Sequence, residues 1–219
     1  MNEEAGIKDG TGTDEGTGMD ARGAAVILAE ASERARRELR VRRPVLFASG
    51  GLALLLGYGA IWLSVRGQRP YHGPTPAAAL VLVLLLGAAG VITASVVEQA
   101  AEGVSGLSAL RRRIYLLSLA IGYAGVITME AALDHAGASR PVVFGVFAAA
   151  APILVTGAIY IANSAASLDW PMCGLGAWLV VVAVSSAFAG PVAAWAVASL
   201  AGGSGYLAVA AIQRWLPHS

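Results

Sequence analysis

Glu130 and Asp134 stand four residues apart, so on a helix they share a face, and His135 follows directly. Two close carboxylates raise the pKa of one of them and make a shared proton available. Joined by His72 from a separate loop, this group could hold a cation or pass a proton. The plainer reading is a wet helix end with Arg140 as its partner. Tyr123 and Ile127 continue the same stripe back along the chain. A second cluster is basic: Arg34, Arg36, Arg37, Arg40, Arg42 and Arg43. Against anionic headgroups each would contribute on the order of 1 kcal/mol. The same arginines could dock on a partner helix or serve only to fix topology.

Other chemistry is weakly signalled. No HExxH, P-loop or GxSxG pattern occurs, and the three histidines, His72, His135 and His218, all fall in loops or at ends. A membrane hydrolase needs a nucleophile with a base, or several metal ligands, at mid-depth. The lone Cys173 excludes an intrachain disulfide and a cysteine-based zinc cluster, and reads as a small buried hydrophobe. The expectation is a protein that is not an enzyme, with no metal and no cofactor. Nucleic acid is not expected as a partner either, because the arginines are interleaved with Glu30, Glu33 and Glu38 and tethered next to apolar segments.

The elements that must position these residues follow from composition. Of 219 residues 57% are hydrophobic and 13% charged, whereas a soluble domain carries about 25% charged residues. The first 43 residues hold 17 of the 29 charges, so the remainder is far more apolar than the mean hydropathy of +0.66 suggests. The class is therefore an all-α integral membrane protein. The strong Arg and Ala bias is that of coding in a high-GC bacterial genome, which makes the expected location the bacterial inner membrane.

Residues 1–20 are acidic and rich in Gly and Thr, a composition that cannot repay its ordering entropy and reads as a disordered tail. Over 21–43, the pairs Glu30 and Arg34, and Glu33 and Arg37, support a helix. Ala24, Leu28, Ala31, Ala35 and Leu39 draw a narrow stripe along it, which would lie on the membrane surface or against a partner. Crossing a hydrocarbon layer of about 30 Å takes about 20 apolar residues. Six candidates meet that length, at about 45–65, 77–97, 114–133, 142–162, 172–189 and 191–212, which gives a compact six-helix domain over 44–216. The last two depend on Gly190 and Pro191 breaking a long uncharged stretch, and a re-entrant segment is the alternative.

Counted near the span ends with the N-terminus inside, the inner side collects ten arginines and the outer side only Arg66, Arg69 and Arg140. Both termini are expected to be cytoplasmic. Trp62, Tyr71, Tyr115, Trp170, Trp195 and Trp215 fall mostly near span ends, as interfacial aromatics do. Glu98 and Asp169 read as interfacial stop signals, and Asn163 as a packing or capping residue. Small residues four apart, such as Ser118 and Gly122, Gly90 and Ala94, or Ser199 and Gly203, allow close helix approach. GGSG at 202–205 could unwind the last span. Short echoes between the first and fourth spans (GAIW at 59–62, GAIY at 157–160) would fit an inverted three-plus-three repeat.

Two functions are compatible with this layout. One is a non-enzymatic multi-pass membrane protein acting through helix–helix contact with a partner or with itself. The other is a small transporter or channel subunit that moves protons, cations or a small solute, using Glu130 and Asp134.

Overall fold

The structure, a computed structural model, describes residues 21–101 and 107–215; within these, the side chains of 31–43, 97–101, 107–109 and a few neighbours are not described. The acidic tail, the side chains of Arg34, Arg36, Arg37, Arg40, Arg42 and Arg43, and those of Glu98 and Glu102 thus fall outside the described residues. The chain divides into two units, 1–37 and 38–219. In the first, the backbone from Ala21 onward is helical.

Six helices of this unit are long and apolar enough to cross a membrane: Pro44–Val65, Pro76–Val96, Arg113–His135, Pro141–Ala165, Trp170–Ala189 and Ala193–Trp215. They belong to α1 (Ala21–Val65), α2 (Pro76–Ala101), α3 (Leu107–His135), α4 (π-helical Pro141–Phe147 running into Ala148–Ser167), α5 (Trp170–Ala189) and α6 (Ala193–Trp215). No strand occurs among the described residues. The described residues are accordingly all-helical, and the six apolar helices, close to the spans read from hydropathy, suggest a multi-pass membrane protein.

Local chemistry sets the helix ends. Thr75 caps α2: its side-chain oxygen accepts from the Ala78 N–H at 3.3 Å, and Pro76 takes the first turn, where a missing N–H costs nothing. Asp169 does the same for α5, accepting from Met172 N–H at 3.3 Å ahead of Pro171. Between α4 and α5 the chain reverses through Leu168, held in the left-handed region at φ 54°. Gly190, at φ 85°, and Pro191 separate α5 from α6, so two full-length helices occupy the stretch where a re-entrant segment was the alternative.

The core lies among α1, α4, α5 and α6, centred on Tyr58, Ile61, Leu175, Leu179, Val182 and Trp195. Glycines let these helices meet at the backbone. A Cβ built on Gly157 of α4 would stand 2.8 Å from the Gly176 carbonyl oxygen of α5, and one on Gly176 would stand 2.8 Å from the Gly157 oxygen. Gly51 of α1 and Gly203 of α6 meet in the same way. Along α2 and α3, by contrast, most described side chains are exposed, with buried Ala78, Ala89 and Val126 as exceptions.

α6 does not unwind at its glycines. It passes through a π segment at Ala198–Gly202 and continues as helix through Gly203–Trp215. Each π segment gives a carbonyl to an aromatic donor. Trp178 Nε1 donates to Ala201 O at 2.9 Å, and Tyr71 donates to Phe144 O at 2.8 Å. Ser199 further ties α6 to α1, donating to Leu55 O at 2.7 Å.

Candidate functional site

The acidic group singled out in the sequence lies at the Val65/Pro76 end of the bundle, where α3 finishes. Glu130 is half-buried, with Asp134 one turn on as its acidic neighbour; Asp134 and His135 are exposed, and so is His72 in the α1–α2 loop. Among the described residues no hydrogen bond or ion pair joins these four, and no three His, Cys, Asp or Glu residues come together as metal ligands. His72 is instead held by its backbone, whose N–H donates to Gln68 Oε1 at 3.0 Å, while Gln68 Nε2 donates to Ser64 O and Gly73 O.

That loop packs down on the bundle. Tyr71 donates to Phe144 O and accepts from Trp195 Nε1 at 3.3 Å, and the Trp195 ring stacks at 5.4 Å on Tyr58. Trp195, expected at an interface, is thus a core residue, 2% exposed. Burial pushes the Tyr71 phenol above its ordinary value of 10.0, against the Trp195 hydrogen bond, which pulls the other way. Trp170 and Trp215 do stand exposed near span ends, and Arg66 lies over the Trp62 ring at 5.6 Å.

Deeper in the bundle lies a feature that sequence reasoning missed. A cavity of about 720 Å³ opens between α1, α2, α3, α4 and the inward faces of α5 and α6. This size is in the range of about 300–1,000 Å³ that binds small molecules. Its walls are Leu, Ile, Val, Ala, Pro and Phe side chains into which polar groups project, and five of the six tyrosines of the chain, Tyr58, Tyr115, Tyr123, Tyr160 and Tyr206, line it. Val83 of α2 and Leu116 of α3 line the cavity and are also exposed, so its mouth lies where these two loosely covered helices stand. Asn163 and Asp169 lie at one end, beside Met172.

The hydroxyls are organised. Tyr206 donates to Tyr160 at 2.9 Å, and Tyr115 lines the same cavity. Tyr123 stands 2.7 Å from the Thr156 hydroxyl, which itself donates to Pro152 O at 2.8 Å. The Tyr160 and Tyr206 rings meet edge-on at 6.0 Å. Asn163 Nδ2 reaches the Met172 sulfur at 3.5 Å, a packing contact of the kind expected for it. Tyr115, two residues from the start of its span, and Tyr123, on the same stripe as Glu130, both line this cavity. Glu130 lies seven residues beyond Tyr123, about 10 Å along α3. The acidic group and the cavity are separate places.

The chain matches no family model, no curated protein and no solved structure.

Proposed function

We propose that this multi-pass membrane protein binds a small, largely apolar molecule within the bilayer, in the tyrosine-lined cavity, and that it does so as a solute-handling protein and not as an enzyme. The observation that carries the reading is the concentration of five of six tyrosines around one cavity of about 720 Å³ in a predominantly apolar domain. Polar groups inside a membrane are costly and are retained where they work. An apolar pocket with a few convergent polar groups is the usual form of a small-molecule site. The arginine distribution supports an inner-membrane location with both termini in the cytoplasm. In that orientation the cavity reaches from the cytoplasmic side past the midplane, as far as Tyr58 and Val83, and Glu130 and Asp134 stand at the outer face.

The test is photocapture from living cells. A diazirine amino acid placed at Leu119, which lines the cavity, is expected to capture a small molecule of defined mass. The same residue at the exposed Leu117 is expected to capture bulk phospholipid. Identical adducts at both positions would refute the reading.

A second reading, self-association through α2 and α3, draws on Gly87, Gly90 and Gly125, where an added Cβ would meet nothing within 4 Å. Open glycines on an exposed membrane helix suit the close approach of another helix. Gly90→Leu with Gly125→Leu would then shift the full chain from dimer to monomer in detergent, and an unaltered mass would refute this reading. The arginine-rich helix over 21–43 keeps its proposed role as a cytosolic docking or membrane-surface segment.

A further inference from the structure

We infer that the ligand of this cavity is an uncharged lipophile whose polar part accepts hydrogen bonds, a ketone or quinone carbonyl being the simplest form. The inference rests on the cavity being the binding site and deepens that reading by naming the ligand's chemistry.

Charge comes first. Among the described residues that line the cavity none is Lys, Arg or His, and one, Asp169, carries a carboxyl. An anion would leave water for an apolar space with no positive group to meet it. An ammonium among the phenols fares no better, because the carboxyl is at the far end. Asp169 immediately precedes α5 and accepts from the Met172 N–H as its cap, whereas Tyr58 lies about 21 Å along α1 from the start of its span at Pro44, at that same end. An isolated charge of either sign in apolar surroundings costs far more than a hydrogen bond returns. The occupant is therefore neutral.

Protons settle which neutral group it carries. A hydroxyl has one proton to donate and two lone pairs to accept with. Thr156 spends its proton on Pro152 O, because a carbonyl only accepts, so the 2.7 Å contact between Tyr123 and Thr156 is donated by Tyr123. Tyr206 spends its proton on Tyr160. Tyr58 lines the cavity with its ring fixed against Trp195, and it spends its proton on no other described group. Tyr115 and Tyr160 can spend only one of their two protons on each other, so a second is left over.

An unused lone pair is ordinary in a protein interior, whereas an unused proton is rare. What the cavity lacks is thus acceptors. A carbonyl oxygen brings two lone pairs and asks for no acceptor in return. The apolar walls take the rest of the molecule, and the mouth beside Val83 and Leu116 admits it from the side where α2 and α3 are exposed.

The experiment uses the full chain in detergent micelles, tritiated 2-adamantanone as the probe, and four competitors with the same rigid cage: adamantane, 1-adamantanol, 1-adamantylamine and 1-adamantanecarboxylate. At pH 7 the amine is a cation and the carboxylate an anion, while the alcohol accepts like the ketone and the hydrocarbon has no polar group. The expected result is saturable ketone binding, displaced by the alcohol, more weakly by the hydrocarbon, and least by the amine and the carboxylate. Leu119→Trp, which adds bulk to a side chain lining the cavity, is expected to abolish the saturable part and so to report partition into the micelle alone. Tyr58→Phe is expected to weaken ketone binding about three- to tenfold, as for a hydrogen bond between neutral groups, with adamantane affinity unaltered. The carbonyl stretch of the bound ketone should lie at lower frequency than in Leu119→Trp, and part of that shift should vanish in Tyr58→Phe. Since the Tyr58 hydroxyl bonds no other described group, the thermal unfolding midpoint of that variant should stay unchanged.

Displacement by the amine or the carboxylate as strong as by the alcohol, in a form lost in Leu119→Trp, would overturn the neutral class and leave the cavity as the binding site. Adamantane competing as strongly as unlabelled ketone, or ketone affinity unaffected by Tyr58→Phe, would overturn the role of the carbonyl. If the ketone does not bind saturably, the inference falls, and photocapture at Leu119 decides the underlying reading independently.

Discussion

Replacing Gly157 by alanine tests the account of how α4 and α5 are held together. The added methyl carbon would stand 2.8 Å from the Gly176 carbonyl oxygen and 3.1 Å from both Leu179 Cβ and Val180 Cγ2. Val180 Cγ2 can rotate away, but Leu179 Cβ and the carbonyl are fixed to a helix backbone and cannot. Ordinary contact begins near 3.4 Å, so the two helices must separate by roughly 0.6 Å at this point. Overpacking of a tight interior costs about 1–3 kcal/mol. Alanine recovers about 0.8–1.0 kcal/mol of helix propensity over glycine. The net expectation is a loss of about 0–2 kcal/mol, centred near 1, since the overpacking cost exceeds the propensity gain over most of its range. Gly90→Ala is the control, because an added Cβ there meets nothing within 4 Å and only the propensity gain remains. The assay is thermal unfolding of the full chain in detergent, followed by the near-ultraviolet signal of its tryptophans. Gly176→Ala should cost about as much as Gly157→Ala, and the double variant less than the sum, because both disturb one contact. If Gly157→Ala unfolds at or above the wild-type temperature while Gly90→Ala behaves the same, the backbone contact between α4 and α5 does not hold the fold.

Three further outcomes are expected. Tyr71→Phe removes the donor to Phe144 O and leaves Trp195 Nε1 without its acceptor, which should lower stability by about 1–3 kcal/mol in the same unfolding assay. Because the Tyr71 phenol is raised in the folded state, its contribution is complete below the ordinary tyrosine value of 10.0 and declines as pH rises above it; a pH titration of stability in which Tyr71→Phe leaves the alkaline loss untouched would contradict this. Ser199→Ala deletes the 2.7 Å tie to Leu55 O and should cost about 0.6 kcal/mol, the typical size of an interhelical hydrogen bond in a membrane, and an unchanged midpoint would show that the tie contributes nothing. Single cysteines at Gly67, Ser105, Ala138 and Ser167 in a Cys173→Ala background should react with an impermeant thiol reagent on intact cells at 67 and 138 only, whereas reaction at 105 or 167 would reverse the orientation.

Hydropathy made the spans legible because a membrane helix must be long and apolar whatever it packs against. The caps at Thr75 and Asp169 rest on local chemistry too, but Asp169 reads from the sequence only as an interfacial stop signal. Packing was harder. Gly122 was singled out and does approach α4, at Val155, and Gly203 does meet Gly51; yet Gly90 faces open space, and the close pair Gly157 and Gly176 went unnoticed. A stripe of small residues shows that a helix can be approached, not by which neighbour. The cavity was missed for a related reason. Tyr58, Tyr115, Tyr123, Tyr160 and Tyr206 lie on four helices and are far apart in sequence, so no periodicity within one helix links them. A signal was present. Counted inward from the span ends at Pro44, Arg113, Ala165 and Trp215, all five fall within about 20 Å of the same end of the bundle at 1.5 Å per residue. Aligning antiparallel spans by depth would have gathered them.

The π segment at Ala198–Gly202 makes α6 unequally sensitive to changes in its length. Elsewhere in the helix, losing one residue would swing everything beyond it by about 100° and turn Tyr206 and Ala210 out of the core. Within the π segment a residue can be dropped and the winding relaxes to an ordinary α turn, with the faces beyond it kept in phase. Leu200, 64% exposed, is the residue whose removal the core would feel least. One-residue length variation in this span therefore belongs at 198–202, where the helix already carries the slack to absorb it.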